Sequence, residues 1–574
     1  MPVIAANRFL VKLHGARLET VRSGLLPAET VPLYPDEEQA VTSDALARKP
    51  EWFLHTPTSD SQPDQHPWDA AHAVARQFQL AALVEDEAEP YVEPDLLHQR
   101  YVPVSDVAEG LAASGGAWPA QQGLDTLYPP SANDTFTLQW HLERARFPAA
   151  WGISTGGEVR IAHLDTGYYP DHHSTPRNML REQGWNYVDN NLDTTDPGHH
   201  LNAGHGTATL ALLAGKEVDL QYTAAGSTNS RTYKGVIGGA PDAQIVPVRI
   251  GGVFGSVVHI YSSSMAKGLH HALGTLARPP CDVVSLSHGG LPTKAWADEI
   301  NRLYDAGIIV AAASGDSISA VVLDIATHFT VYPSAWWRVI TVTGETFAKQ
   351  PYTTTHPGEM QGSWGPPRVM EKALGAATPN VPWMRLGGPT AWEMDGAGTS
   401  ASTPQVAAAC ALWLSKYGTG LHHDWRRVAA CRKVLFESVS DRELNVDKIG
   451  VGALDATGML DETLSLAVVA DAKLAQPTFL KRIDPDRCSW PFFRLLFGLP
   501  PPGRGIDEML EVEAQQVAYR SRNPFLQDAM ETYPEGVGIP VPLARTLQQQ
   551  FLSEPEMSRT LRTYLAQHLA TSIP

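Results

Sequence analysis

The sequence predicts an α/β protein: a doubly wound parallel sheet with helices on both faces, preceded by a small α+β N-terminal region and followed by a mostly helical C-terminal region. Three observations predict this. VRIAHLD (159–165), QIVPVRI (244–250), DVVSLSH (282–288), GIIVAAA (307–313) and RVITVTG (338–344) are nearly continuous apolar runs, the pattern of parallel strands covered on both faces. GTATLALLAG (206–215), SSMAKGLHHALGTL (263–276) and AWADEINRLYDAG (295–307) fall between them and read as helices, which gives the strand–helix alternation of such a sheet. Polar or glycine-containing turns follow several strands, and ligands of these sheets bind at the strands' carboxyl ends.

Along the chain, residues 1–102 hold a strand-like FLVKL (9–13), a helix-like WDAAHAVARQF (68–78) and AALVEDEAEPYVEPDLL (81–97). Residues 103–135 are rich in Gly, Ala, Ser and Pro and read as an exposed linker. Residues 136–470 carry the strand–helix alternation. Residues 471–574 read as helical, most clearly in FLSEPEMSRTLRTYLAQHLA (551–570). There Ser553 and Glu556 have capping-box spacing, and Met557, Leu561, Tyr564, Leu565 and Leu569 form one apolar stripe. No internal repeat is visible.

Composition narrows the function classes. The chain has 574 residues, 43% hydrophobic and 18% charged, with a net charge of −18 and a pI near 5.6. This acidity argues against a nucleic-acid or anionic-membrane surface. No apolar run approaches the ~20 residues of a membrane span. The first residues, MPVIAANRFLVKLHG, lack a sustained apolar core and a small-residue cleavage site, so a cytoplasmic location is expected, with export as the alternative if a leader precedes this sequence. The four cysteines, Cys281, Cys410, Cys431 and Cys488, show no metal-binding spacing. Cys281 and Cys410 sit in apolar segments and read as buried thiols.

Three short motifs carry the chemistry. AHLDTGYYPDH places Asp165 at the end of a strand, NAGHGTATLALLAG opens a helix with His205, and DGAGTSASTPQVAAACALWL opens another with Ser400. A serine hydroxyl is inert at its own pKa and needs an imidazole to take its proton. The imidazole in turn needs a carboxylate to fix its tautomer. A helix N-terminus beside the serine favours a developing oxyanion. Gly396 and Gly398 let the turn before Ser400 approach a substrate, and Pro404 is expected in the first helical turn, where a missing N–H costs little. Each motif alone is an ordinary turn or cap. Their combination, in the order Asp, His, Ser, is specific.

Through these motifs, the region 136–470 resembles the subtilisin-like serine proteases, the subtilase family. TLQWHLERARFPAAW (137–151), GGAPDAQIVPVRI (238–250), VVSLSHGG (283–290), VYPSAWWRVITVTG (331–344), GSWGPP (362–367), ATPNVP (377–382) and GVGALDA (450–456) are also similar to family segments. The resemblance implies a serine endopeptidase with Ser400 as nucleophile, His205 as base then acid, and Asp165 as the orienting carboxylate. It implies an extended peptide substrate paired between Gly255–Ser256–Val257 and Ser287–His288–Gly289. His288 stands where the family places an apolar residue near the first pocket, so either an altered pocket or simple packing at the rim is expected. PYVEPDLL (90–97) resembles the last strand of the family's inhibitory pro-domain. The N-terminal region is then an inhibitor joined by an activation segment, or else a permanent packing domain. No cofactor is implied. Family members hold structural Ca²⁺ in loops, but the acidic candidates Asp193 and Asp196 form no ligand pattern, and no metal site is assigned.

One position departs from the family. ASGD (313–316) puts Asp316 where the family has its oxyanion asparagine. An ionised carboxylate cannot donate to an oxyanion, and losing one such donor costs ~3–4 kcal/mol. Either burial protonates Asp316, or the residue restrains activity. A catalytically weak scaffold that grips extended peptides or a partner is therefore the competing expectation. An esterase of the α/β-hydrolase type is disfavoured, because GxSxG does not surround Ser400 and the chain order differs.

Overall fold

The computed structural model describes residues 5–13, 30–34, 51–57, 65–81, 89–99, most of 137–484 and most of 505–569. The N-terminal elements are strands β1 (Ala5–Leu13), β2 (Thr30–Pro32) and β3 (Glu51–His55), helix α1 (Pro67–Ala81) and strand β4 (Tyr91–Gln99). In the central region β5 (Arg160–Asp165), β6 (Trp185–Asn186), helix α2 (His205–Ala214), the hairpin β7 (Glu217–Thr223) and β8 (Ser230–Val236), and β9 (Gln244–Arg249) come first. The hairpin β10 (Gly252–Phe254) and β11 (Val257–Tyr261) follows, then helix α3 (Ser262–His271), β12 (Val283–Leu286), helix α4 (Lys294–Asp305), β13 (Ile309–Ala313) and β14 (Asp316–Ile318). The region closes with β15 (Ile340–Glu345), β16 (Met360–Gly362), β17 (Ala373–Ala377), the hairpin β18 (Val381–Met384) and β19 (Trp392–Gly396), and helices α5 (Thr399–Trp413), α6 (Trp425–Glu437) and α7 (Glu462–Ala472).

Seven strands form one sheet in the order β17–β15–β13–β12–β5–β9–β6, and its recorded pairings are parallel. Successive residues of a strand face opposite sides, and the two cores follow that rule. Ile161, Ile245, Val283, Ile309 and Ile340 pack with α2 and α5. Ala162, Val246, Val284 and Val310 pack with α3 and α4 on the other side. Each fully buried aliphatic side chain contributes roughly 1.5–3 kcal/mol, which is why the apolar runs mark the strands. Asp165 has the parity of Ile161 and so faces α2.

The N-terminal strands do not form a separate sheet. They join the β10–β11 hairpin in the order β10–β11–β4–β1–β3–β2. The join is antiparallel, with Tyr261 opposite Leu97 and His259 opposite Gln99. Glu93 and Asp95 lie two residues apart on β4 and therefore share a face. Glu93 accepts the N–H groups of Lys294 (2.8 Å) and Ala295 (3.0 Å) at the start of α4. Asp95 accepts the N–H and hydroxyl of Ser263 at the start of α3, both at 2.8 Å. One strand thus caps two helices of the central region. The linker 103–135 lies outside the described residues.

The C-terminal helices α8 (Ile506–Arg520), α9 (Val541–Leu552) and α10 (Arg559–Leu569) differ from the expected single helix over 551–570. Ser553 closes α9 rather than opening a helix, and Glu556 pairs with Arg520 at 2.6 Å. The start of α10 is capped by Ser558, whose hydroxyl accepts the Leu561 N–H, and by Asp69 of α1, which accepts the N–H groups of Arg559 and Thr560. A cap supplied from 490 residues away has no local signature. Met557, Leu561 and Leu565 do pack in one core, with Leu510 and Ala514 of α8. Helix α8 also wedges between regions. Gln516 accepts from the Trp68 indole (2.9 Å) and donates to the Pro292 carbonyl (2.7 Å).

Candidate active site

Asp165 ends β5 beneath the first turn of α2. Its Oδ1 accepts from His205 Nδ1 at 2.7 Å and from the Thr166 N–H at 2.7 Å. Its Oδ2 accepts from the Thr209 hydroxyl at 3.0 Å. Thr209 stands four residues after His205, on the same helix face, and its oxygen is 2.9 Å from His163 Nε2. Burial alone would raise the Asp165 pKa, but the two imidazoles beside it, His205 and His288, outweigh burial and hold it well below the usual carboxylate range. Burial pushes His163 down to about 4, so near neutrality it is a neutral donor to Thr209. Gly206 permits the close approach of α2: a Cβ there would stand 2.0 Å from the Gly167 carbonyl oxygen.

Ser400 lies in the first turn of α5, after Gly398, whose φ is 83°. Ser287 joins it to the Asp165 side. Ser400 Oγ donates to the Ser287 carbonyl at 3.1 Å, rather than to His205, and Ser287 Oγ donates to the Ser400 carbonyl at 3.0 Å. The next residue, His288, reaches Asp165 Oδ1 with Nε2 at 3.2 Å. The stretch 287–288 therefore touches both the serine and the carboxylate. Pro404 is not in the first turn as expected, but inside the helix. Its absent N–H would have served the Ser400 carbonyl, and the Ser287 hydroxyl serves it instead.

A model of the subtilase family matches residues 156–452. The chain belongs to the subtilase family. It is 27% identical over 290 residues to "Thermitase" of Thermoactinomyces vulgaris, a match covering 50% of this chain and 86% of that protein. It is 32% identical over 183 residues to "Subtilisin Savinase" of Lederbergia lenta, covering 32% of this chain and 56% of the relative. An "Intracellular serine protease" of Paenibacillus polymyxa is 26% identical over 272 residues, covering 47% and 71% respectively.

Asp316 of this subtilase opens β14 and pairs with Gly362. Its Oδ1 accepts the Thr399 N–H at 2.7 Å, so the carboxylate caps the helix that carries Ser400. It takes the N–H of Thr399, not that of Ser400. A carboxylate oxygen is a favoured acceptor at this place. Gly398 makes the cap possible, since a Cβ there would be 2.8 Å from Asp316 Oδ2.

The ring of His288 makes contacts within the site itself. It turns to Asp165 and lies beside His205, with ring centroids 4.8 Å apart. Gly289 packs under Val331 and the Tyr332 carbonyl. Gly255 and Ser256 lie outside the described residues, and Val257 begins β11. Asp193 and Asp196 serve their own loop. Asp193 accepts the Thr195 N–H, while Asp196 accepts the N–H groups of Gly198 and Gly204, the latter just before His205. The motifs did not reveal Thr209, His163, or Trp383, whose ring stands edge-on to His205 at 5.7 Å. The spacing of four in HGTAT is the one sequence signal that points to Thr209.

Proposed function

We propose that this subtilase is a serine endopeptidase acting through an acyl-enzyme, with Ser400 as nucleophile, His205 as general base then acid, and Asp165 as the carboxylate that orients His205. The 2.7 Å bond from His205 Nδ1 to the buried Asp165 carries this reading. With the ring proton on Nδ1, Nε2 is the basic nitrogen that a serine nucleophile needs. Ser400 must leave the Ser287 carbonyl to reach it, a side-chain rotation that substrate binding completes. The Ser400 N–H, in the first turn of α5, supplies one oxyanion donor.

The N-terminal region acts as an inhibitor in this reading. Two supports are the β4–β11 pairing and the lodging of His98 against the 290–291 backbone, where the Leu291 N–H lies 3.2 Å from its Nδ1. Gln99 lies opposite His259, two residues along β11 from Val257, which is expected to pair with substrate. Protein substrates are extended across the edge near Ser287–Gly289. A reducing compartment suits Cys281, Cys410 and Cys431, all buried and unpaired, and no helix among the described residues is long and apolar enough to cross a membrane.

The bond from Ser400 to the Ser287 carbonyl also favours a second reading, a weakly active scaffold that binds extended peptides. A serine-reactive fluorophosphonate separates the two, with Ser400→Ala as control. Labelling of Ser400 and cleavage of a denatured protein support the peptidase. Absence of labelling after linker cleavage and across pH supports the scaffold.

A further inference from the structure

His288 adds a ligand to the triad. His205 Nδ1 and His288 Nε2 both address one oxygen, Asp165 Oδ1, at 2.7 and 3.2 Å. Donor atoms of the three residues lie within 4.8 Å of one another. Two imidazole nitrogens and a carboxylate oxygen suit a borderline cation such as Zn²⁺, which binds such ligands at ~2.0–2.2 Å and so sets neighbouring donors about 3.4 Å apart in a tetrahedron. The two N···O distances to Oδ1 are shorter than this spacing, so each ring must draw back slightly from the carboxylate to admit the ion. The Thr209 hydroxyl on Oδ2 fixes the carboxylate so that Oδ1 faces the rings, the second-layer support that metal ligands use.

We propose that Asp165, His205 and His288 form a binding site for a divalent cation of the Zn²⁺ class, and that occupancy stops hydrolysis. The ion takes the place between ring and carboxylate that each N–H now occupies. With Nδ1 of His205 on the ion, the neutral ring carries its proton on Nε2, where it cannot accept the Ser400 proton. The His288 proton likewise moves to Nδ1, so neutral rings release no proton. The inhibitory half rests on the peptidase reading above, whereas the binding half stands without it.

The test is a calorimetric titration of Zn²⁺ into the full chain carrying Ser400→Ala, alone and with His288→Asn or His288→Leu. Asn keeps an N–H donor for Asp165 but is a poor ligand, and circular dichroism checks the fold of each variant. One saturable site, weakened at least about tenfold by either His288 substitution, supports the proposal. No binding, or equal affinity in all three proteins, overturns it. In the chain with Ser400 intact, Zn²⁺ should lower each protein's rate relative to its own metal-free rate, far more in the His288 form, and a chelator should restore it. Failure of Ser400 to label or cleave would remove the peptidase reading and leave the titration to decide the site.

Discussion

Ser287 and Ser400 exchange hydrogen bonds, each hydroxyl donating to the other's carbonyl at 3.0 and 3.1 Å. The exchange is coupled to Pro404, four residues after Ser400, which has no N–H for the Ser400 carbonyl. Ser287→Ala leaves that buried acceptor without its donor and should cost about 1–3 kcal/mol of stability, with slower labelling of Ser400. Pro404→Ala restores a helical donor, so Ser287→Ala should cost less in that background. Thermal melts of the two single variants and the double variant check this. Additive costs would mean that the Ser287 hydroxyl does not stand in for the missing N–H.

Asp316→Asn keeps an oxygen for the Thr399 N–H and adds an amide donor near Ser400. Stability should fall by no more than about 0.3–1 kcal/mol, the loss of a charge at a helix N-terminus. If the side chain also faces the oxyanion, kcat should rise, by up to about 10²–10³. Asp316→Ala removes the cap, at ~0.5–2 kcal/mol, and adds no donor. Identical pH–rate profiles for the wild type and Asp316→Asn would leave Asp316 a cap alone.

The strands were legible because both of their faces are buried: GIIVAAA and VRIAHLD read as unbroken apolar runs and became β13 and β5 within two residues. Trp185–Asn186 is too short and Ala373–Ala377 too poor in large side chains to announce the sheet's outer strands. The β7–β8 hairpin alternates exposed residues with buried or half-buried ones, so neither strand is a continuous apolar run. The pairing of Asp165 with His205 was legible because each stands in a short motif. The ring direction of His288 was not, since it depends on where β12 ends relative to β5. The capping bond of Asp316 was not legible either, because its partner, the Thr399 N–H, lies 83 residues away.

Glu93 predicts pH dependence in N-terminal docking. Burial at the start of α4 raises its pKa to about 7, despite the Ala295 and Lys294 N–H bonds. Freed from the interface it returns to an ordinary value near 4.5. Docking therefore takes up a proton between these values. The contribution to docking is full below about pH 4.5 and is lost as pH rises through about 7. In a chain cut at a protease site engineered into 103–135, release of the N-terminal fragment should quicken from about pH 6 to pH 8. Glu93→Gln, which cannot ionise, should flatten that dependence. An unchanged slope would assign the pH effect to another group.

The same cut chain tests the C-terminal helices as a brace. Asp69 of α1 holds the start of α10 through two N–H groups and the Thr560 hydroxyl, and Gln516 of α8 spans from Trp68 to Pro292. These bonds tie the N-terminal region to the rest of the chain independently of the linker and of β4. After cutting, the N-terminal fragment should co-elute with the remainder in size-exclusion chromatography. Asp69→Ala with Gln516→Ala should speed its dissociation, at ~1 kcal/mol for the lost cap and a similar amount for the amide bridge, or roughly tenfold or more together. Co-elution needs no activity, so the result is independent of whether Ser400 is a nucleophile. Prompt loss of the fragment from the otherwise unaltered cut chain would show that the linker alone held it.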